Sequence, residues 1–158
     1  MVLIEDPLPL FIRQHLTTTH ACLLSAELVK NIGLFDESLP RSEDVHYWLR
    51  AAAHANAYLF TSASISYYRR REGSLSTTDE APDEHAIKAF RNLSKDPRFK
   101  HYRNLLSSTI AIHIHKNTYH YRKKGMRTNA ARWALEGLIV DPLNSFTWKN
   151  ILGAFLGR

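Results

Sequence analysis

The sequence predicts an α+β chain: an α/β piece with few, short strands over residues 1–80, then an all-helical tail over residues 81–158. Three observations carry this. Short runs of β-branched and aromatic residues, the signature of strands, occur before Pro82 and stop there. Beyond it, four stretches with helical periodicity are separated by breakers at Asp96-Pro97, Gly125 and Asp141-Pro142. Charge divides the chain as well: residues 1–97 hold 10 Lys/Arg and 13 Asp/Glu, whereas residues 98–158 hold 11 and 2.

Taken in order, residues 16–24 (Leu16-Thr17-Thr18-Thr19-His20-Ala21-Cys22-Leu23-Leu24) read as a strand. Residues 25–32 read as a short helix capped by Ser25, with Leu28, Val29 and Ile32 on one side and Gly33 as the stop. Next comes the turn Gly33-Leu34-Phe35-Asp36-Glu37-Ser38-Leu39, organised by Asp36 and Glu37. The helix expected over residues 43–55 buries Val45, Trp48, Leu49 and Ala52, which fall at i, i+3, i+4 and i+7. Ser42 is its expected N-cap, so Glu43 and Asp44 stand in the first turn. A carboxylate there is held ionised by the helix dipole on a rigid element, which suits a general base.

Residues 57–60 and 64–68 read as short strands, and residues 72–82 as a loop of Gly, Ser, Thr, Asp and Pro. The tail predicts helices over residues 83–95, 98–124, 127–140 and 144–156. Its apolar positions, among them Tyr121, Ala130, Ala134, Leu138, Trp148, Ile151, Leu152 and Phe155, repeat at helical spacing and are expected to be buried.

The 158 residues suit a domain-sized core, and 44% hydrophobic with 23% charged residues excludes a disordered chain. The single cysteine, Cys22, has no internal partner and points to a reducing compartment. The first residues lack a signal peptide's basic start and apolar run, and no stretch approaches the ~20 apolar residues of a membrane span. A soluble, cytoplasmic chain is the expectation. The basic tail reads either as a solvated helix face or as affinity for an anionic partner: phospholipid headgroups, a diphosphate, or nucleic acid. Arg122, Lys123, Lys124 and Arg127 cluster, but no nucleic-acid motif surrounds them, so nucleic acid is not expected as a partner. Nine histidines form no His-x-x-x-His pair, and no zinc site is expected.

The series Gly-x-Phe-Asp-Glu-x-Leu at residues 33–39 and Glu-Asp-x-x-x-Trp-Leu-Arg at residues 43–50 resembles the acceptor-side half of inverting family-2 glycosyltransferases with the GT-A fold. The resemblance runs from about residue 10 to 78. It takes in residues 16–24 and Tyr67-Tyr68-Arg69-Arg70-Arg71-Glu72-Gly73-Ser74-Leu75-Ser76. It implies a partial GT-A region in which Asp44 is the catalytic base and Glu43 a positioning partner. Arg69, Arg70, Arg71 and Ser74 then belong to the substrate-binding stretch. Many relatives carry Tyr-Arg-x-His there, whose histidine helps hold a metal. Arg71 takes that place here, and its permanently protonated guanidinium is no ligand, although Arg70 or Arg71 can neutralise a diphosphate.

The family's Asp-x-Asp motif and nucleotide-binding half are absent from the 158 residues. The expectation is a C-terminal, acceptor-side fragment that carries no cofactor and transfers no sugar by itself. The complete enzyme would use a nucleotide sugar and a divalent metal on a sugar or lipid-linked acceptor, in bacterial polysaccharide or glycolipid synthesis. Its basic tail would face the anionic inner membrane leaflet.

In the tail, Tyr121, Ala130, Gly137 and Pro142 resemble one tetratricopeptide-like hairpin, with Thr118 where glycine is usual and Ala134 where an aromatic is usual. Asn129-Ala130-Ala131-Arg132-Trp133 echoes the Gln-x-x-Arg-Trp motif of polysaccharide synthases, yet Trp133 reads better as core. The competing class is a non-enzymatic helical module that uses residues 83–158 to bind a partner protein or an anionic polymer.

Overall fold

A computed structural model of the chain describes residues 1–14, 19, 21–61, 67 and 84–156. Among them lie a two-stranded antiparallel sheet and seven α-helices. Strand β1 (Val2–Ile4) pairs with β2 (Tyr58–Phe60) in the register Val2 to Phe60, Leu3 to Leu59 and Ile4 to Tyr58. Helix α1 (Leu8–Arg13) follows, with Pro9 in its first turn, where the missing N–H costs nothing. It buries Leu8, Phe11 and Ile12 at i, i+3 and i+4.

Helix α2 (Ala26–Ile32) starts where Ser25 Oγ accepts from the Leu28 N–H at 3.1 Å and stops at Gly33, whose φ of 71° few other residues adopt cheaply. Helix α3 (Glu43–His54) buries Trp48, Leu49 and Ala52, with Val45 half-buried beside them, as the periodicity requires. The expected cap differs. Ser42 has a left-handed backbone (φ 61°) and makes no side-chain cap bond, because a capping hydroxyl needs the extended backbone it lacks. Asp44 Oδ1 instead accepts from the Val45 N–H at 2.7 Å.

The tail helices stand close to their expected bounds. They are α4 (Glu84–Leu93), a 3-10 turn (Pro97–Tyr102) running into α5 (Arg103–Lys123), α6 (Arg127–Val140) and α7 (Ser145–Leu156). Asp96 caps the 3-10 turn by accepting from the Arg98 N–H, and Gly125 (φ 73°) closes α5. Helices α5 and α6 approach closely: a Cβ on Gly137 would lie only 3.4 Å from Ile114 Cγ2. Ala130 and Ala134 of α6 meet Ala154 of α7 in a small, separate cluster.

One core runs through both pieces of the chain. Leu8, Phe11 and Ile12 of α1 and Trp48 and Leu49 of α3 pack in the same cluster as Ile87, Phe90, Phe99, Leu106, Ile110 and Trp133. Tyr102 donates to Asp6 Oδ2 at 2.8 Å, and that hydrogen bond raises its pKa, so the two ends of this core are also joined by polar contact.

Two further expectations need correction, and others lie outside the described residues. Residues 21–24 are irregular rather than strand, while positions 15–18 and 20 lie outside the described residues. The strand over 64–68 falls almost wholly outside them too, as does the loop 72–82; Tyr67 is described and is not in a strand. In the tail, Trp148, Leu152 and Phe155 are 51%, 58% and 63% exposed, not buried. Toward α5 and α6 this helix instead sets Thr147, Asn150, Gly153 and Ala154. No described helix is long and apolar enough to cross a membrane.

Candidate functional site

The Gly33–Leu39 turn is built by its own aspartate. Asp36 Oδ1 accepts from the Ser38 N–H at 3.0 Å, and the Leu39 N–H donates to the Asp36 carbonyl at 3.0 Å. The bonds from Ser38 hold the Asp36 carboxyl below its ordinary pKa. Leu39 is buried, and Phe35 stacks on Tyr47 of α3 with ring centroids 4.2 Å apart.

Two cations then clamp the turn. Arg50 of α3 donates to the Ile32 carbonyl at 2.7 Å and to that of Leu34, satisfying acceptors at the end of α2. Its guanidinium also lies over the Tyr47 ring. From the tail, Lys88 of α4 donates to the Ser38 carbonyl at 2.8 Å. His46, buried between these groups, is held below its ordinary pKa by burial and then by the Arg50 charge, with Asp36 opposing. Much of the motif that resembles a glycosyltransferase is therefore spent on a rigid corner.

That corner carries Glu43 and Asp44. Both are half-buried in the first turn of α3, and neither pairs with a cation among the described residues. The bond from the Val45 N–H orients Asp44, leaving a fixed carboxylate able to accept a further proton or hydrogen bond. Arg69, Arg70, Arg71 and Ser74 lie outside the described residues. No group of three His, Cys, Asp or Glu side chains that could hold a metal occurs among the described residues.

A cavity of ≈ 750 Å³ opens between α2, the C-terminal half of α3 and β2. Its wall is mostly apolar, with Cys22, Leu24, Leu28, Trp48 and Tyr58 around the small residues Ala51, Ala52 and Ala55. Neither Glu43 nor Asp44 lines it. His54 does: its Nδ1–H donates to the Arg50 carbonyl at 2.9 Å, and Nε2 accepts from Arg98, itself ion-paired with Asp96 at 3.0 Å. The sequence offered Asp96-Pro97-Arg98 only as a helix break. Its link to His54 spans 44 positions and has no local signature.

The tail histidines diverge. His113 is buried against Phe90, whereas His115 shares a 2.9 Å hydrogen bond with Asn150 of α7. Trp133 is core, 5% exposed. No protein family, curated protein or solved structure matches the chain.

Proposed function

We propose that the chain forms the acceptor side of an inverting, nucleotide-sugar-dependent glycosyltransferase, with Asp44 as its general base. The observation that supports this most is the half-buried Asp44 carboxylate, set in the first turn of α3 and held by the Val45 N–H, without a competing cation among the described residues. In such a transfer the acceptor hydroxyl attacks the anomeric carbon from the face opposite the departing nucleotide diphosphate. The new C–O bond forms as the bond to the diphosphate oxygen breaks, and the hydroxyl proton passes to Asp44. Glu43 would position the acceptor. Arg69, Arg70, Arg71 and Ser74 would face the diphosphate, with a sugar or lipid-linked acceptor entering beside Asp44.

Two measurements test this reading. In an enzyme that joins this piece to a nucleotide-binding half, Asp44→Asn is expected to lower kcat by ~10²-fold or more with fold stability unchanged. Retained activity would remove Asp44 from the mechanism. Calorimetry of the 158-residue chain with uridine, guanosine and thymidine diphosphate sugars is expected to show no binding tighter than about millimolar. Micromolar binding would mean that the donor site is already complete here.

A second reading, a helical interaction module, draws on a different observation: the outer face of α7.

A further inference from the structure

Helix α7 is built inside out. Against α5 and α6 it sets small and polar residues: Thr147, whose hydroxyl donates to the Asp141 carbonyl; Asn150, bonded to His115; Gly153, lying against the Arg122 guanidinium; and Ala154. Outward it sets Trp148, Leu152, Phe155 and Leu156, which are 51–68% exposed. At 100° per residue these four occupy an arc of roughly 100°, a continuous apolar stripe. Most surface helices are arranged the other way round.

The charges that α5, α6 and α7 themselves set beside this stripe are basic, with Glu84 of α4 engaged by the Tyr121 hydroxyl at the end of α5. Lys149 borders it, and the contact of Gly153 with Arg122 puts its C-terminal end beside the junction of α5 and α6, where Lys123, Lys124 and Arg127 are exposed. Residues 98–158 contain only two acids. Both, Glu136 and Asp141, are half-buried, and Glu136 is already paired with Arg91 at 2.8 Å. The indole N–H of Trp148 donates to the Pro142 carbonyl at 2.9 Å, so this ring can enter an apolar layer without stranding a donor.

We propose that the outer face of α7 and the basic junction of α5 and α6 form a docking surface for an anionic lipid bilayer. The helix lies in the plane of the interface, its four apolar side chains among the upper acyl chains and Lys149, Lys123 and Arg127 at the headgroups. At 12 residues it is far too short to span. A second copy fits this face less well, since pairing two such stripes would oppose cations of the same sign. The inference does not depend on sugar transfer and stands or falls separately from it.

The full chain can be tested on vesicles of phosphatidylcholine alone and with about one-third phosphatidylglycerol. Trp48 and Trp133 are 8% and 5% exposed, so a blue shift in emission and quenching by brominated lipid report Trp148. Expected are about tenfold or greater preference for the anionic vesicles, release by about 0.5 M salt, and quenching of Trp148. Leu152→Asp with Phe155→Asp should abolish binding with unchanged circular dichroism; if that pair unfolds, quenching of the unaltered protein decides alone. Equal or absent binding to both vesicles overturns the proposal. So does a dimer in solution that Leu152→Asp disperses while no vesicle is bound, which would assign the face to a second copy.

Discussion

His46 on α3 and His115 on α5 are each held below the ordinary histidine pKa, in both cases first by burial. Arg50 adds to the effect at His46, and Asp141 opposes it at His115. As pH falls through 6.5, the unfolded chain takes up these protons before the folded one does, so stability declines between 6.5 and the lowered values and is unaffected above. The urea midpoint is therefore expected to drop from about pH 7.5 to about pH 5.5, and His46→Gln with His115→Gln should flatten that slope. A midpoint independent of pH would show that other groups carry the linkage. Gly137 offers a test of packing. An added methyl there would meet Ile114 Cγ2 at 3.4 Å and Thr147 Cγ2 at 3.7 Å, ordinary contacts, while removing a glycine from a helix interior. Gly137→Ala is expected to stabilise by about 0.5–1 kcal/mol in thermal unfolding. Gly137→Leu has no such room and should destabilise.

Among the elements, the clamp on the Gly33–Leu39 turn has the largest local consequence. Arg50→Ala removes two donors from the Ile32 and Leu34 carbonyls and the cation over Tyr47, and should cost about 1–3 kcal/mol by denaturant unfolding. Loss of less than a few tenths would mean that Phe35 and Leu39 hold the turn unaided. Helices α2 to α7 were legible in the sequence because their caps, breakers and periodicity are local: Ser25, Gly33, Pro97, Gly125 and Pro142 all mark real ends. Strand β1 was not, since three residues show no period and its partner Tyr58–Phe60 lies more than fifty positions away. The left-handed Ser42 was equally illegible, being a backbone conformation that residue type alone does not impose. Apolar spacing located α7 correctly but could not say which side faces inward. Trp148 and Phe155 satisfy the same periodicity on either side; only the small residues Gly153 and Ala154 fix it. Of the candidate site, the position of Asp44 on α3 was readable, whereas the triad of His54, Arg98 and Asp96 was not, since it joins residues from separate elements.

For the molecule as a whole, the shared core makes the boundary near residue 81 one of composition more than of packing. Phe99 is fully buried in that core, and Phe99→Ala is expected to cost about 3–5 kcal/mol while keeping a single unfolding transition by circular dichroism and fluorescence. Two separated transitions would mean that the α/β piece and the helical tail fold independently. The tie between α1 and α5 also has a consequence during synthesis. Helix α1 leaves the ribosome well before α5: Phe99, Leu106 and Ile110, which complete its side of the core, follow nearly a hundred residues later. At about 5–20 residues per second, that interval is on the order of 5–20 seconds. Trp48, Leu49 and Tyr58 reach Phe11 and Ile12 about halfway through it, and for the remainder the nascent chain presents a core that is closed on the α3 side and open on the α5 side.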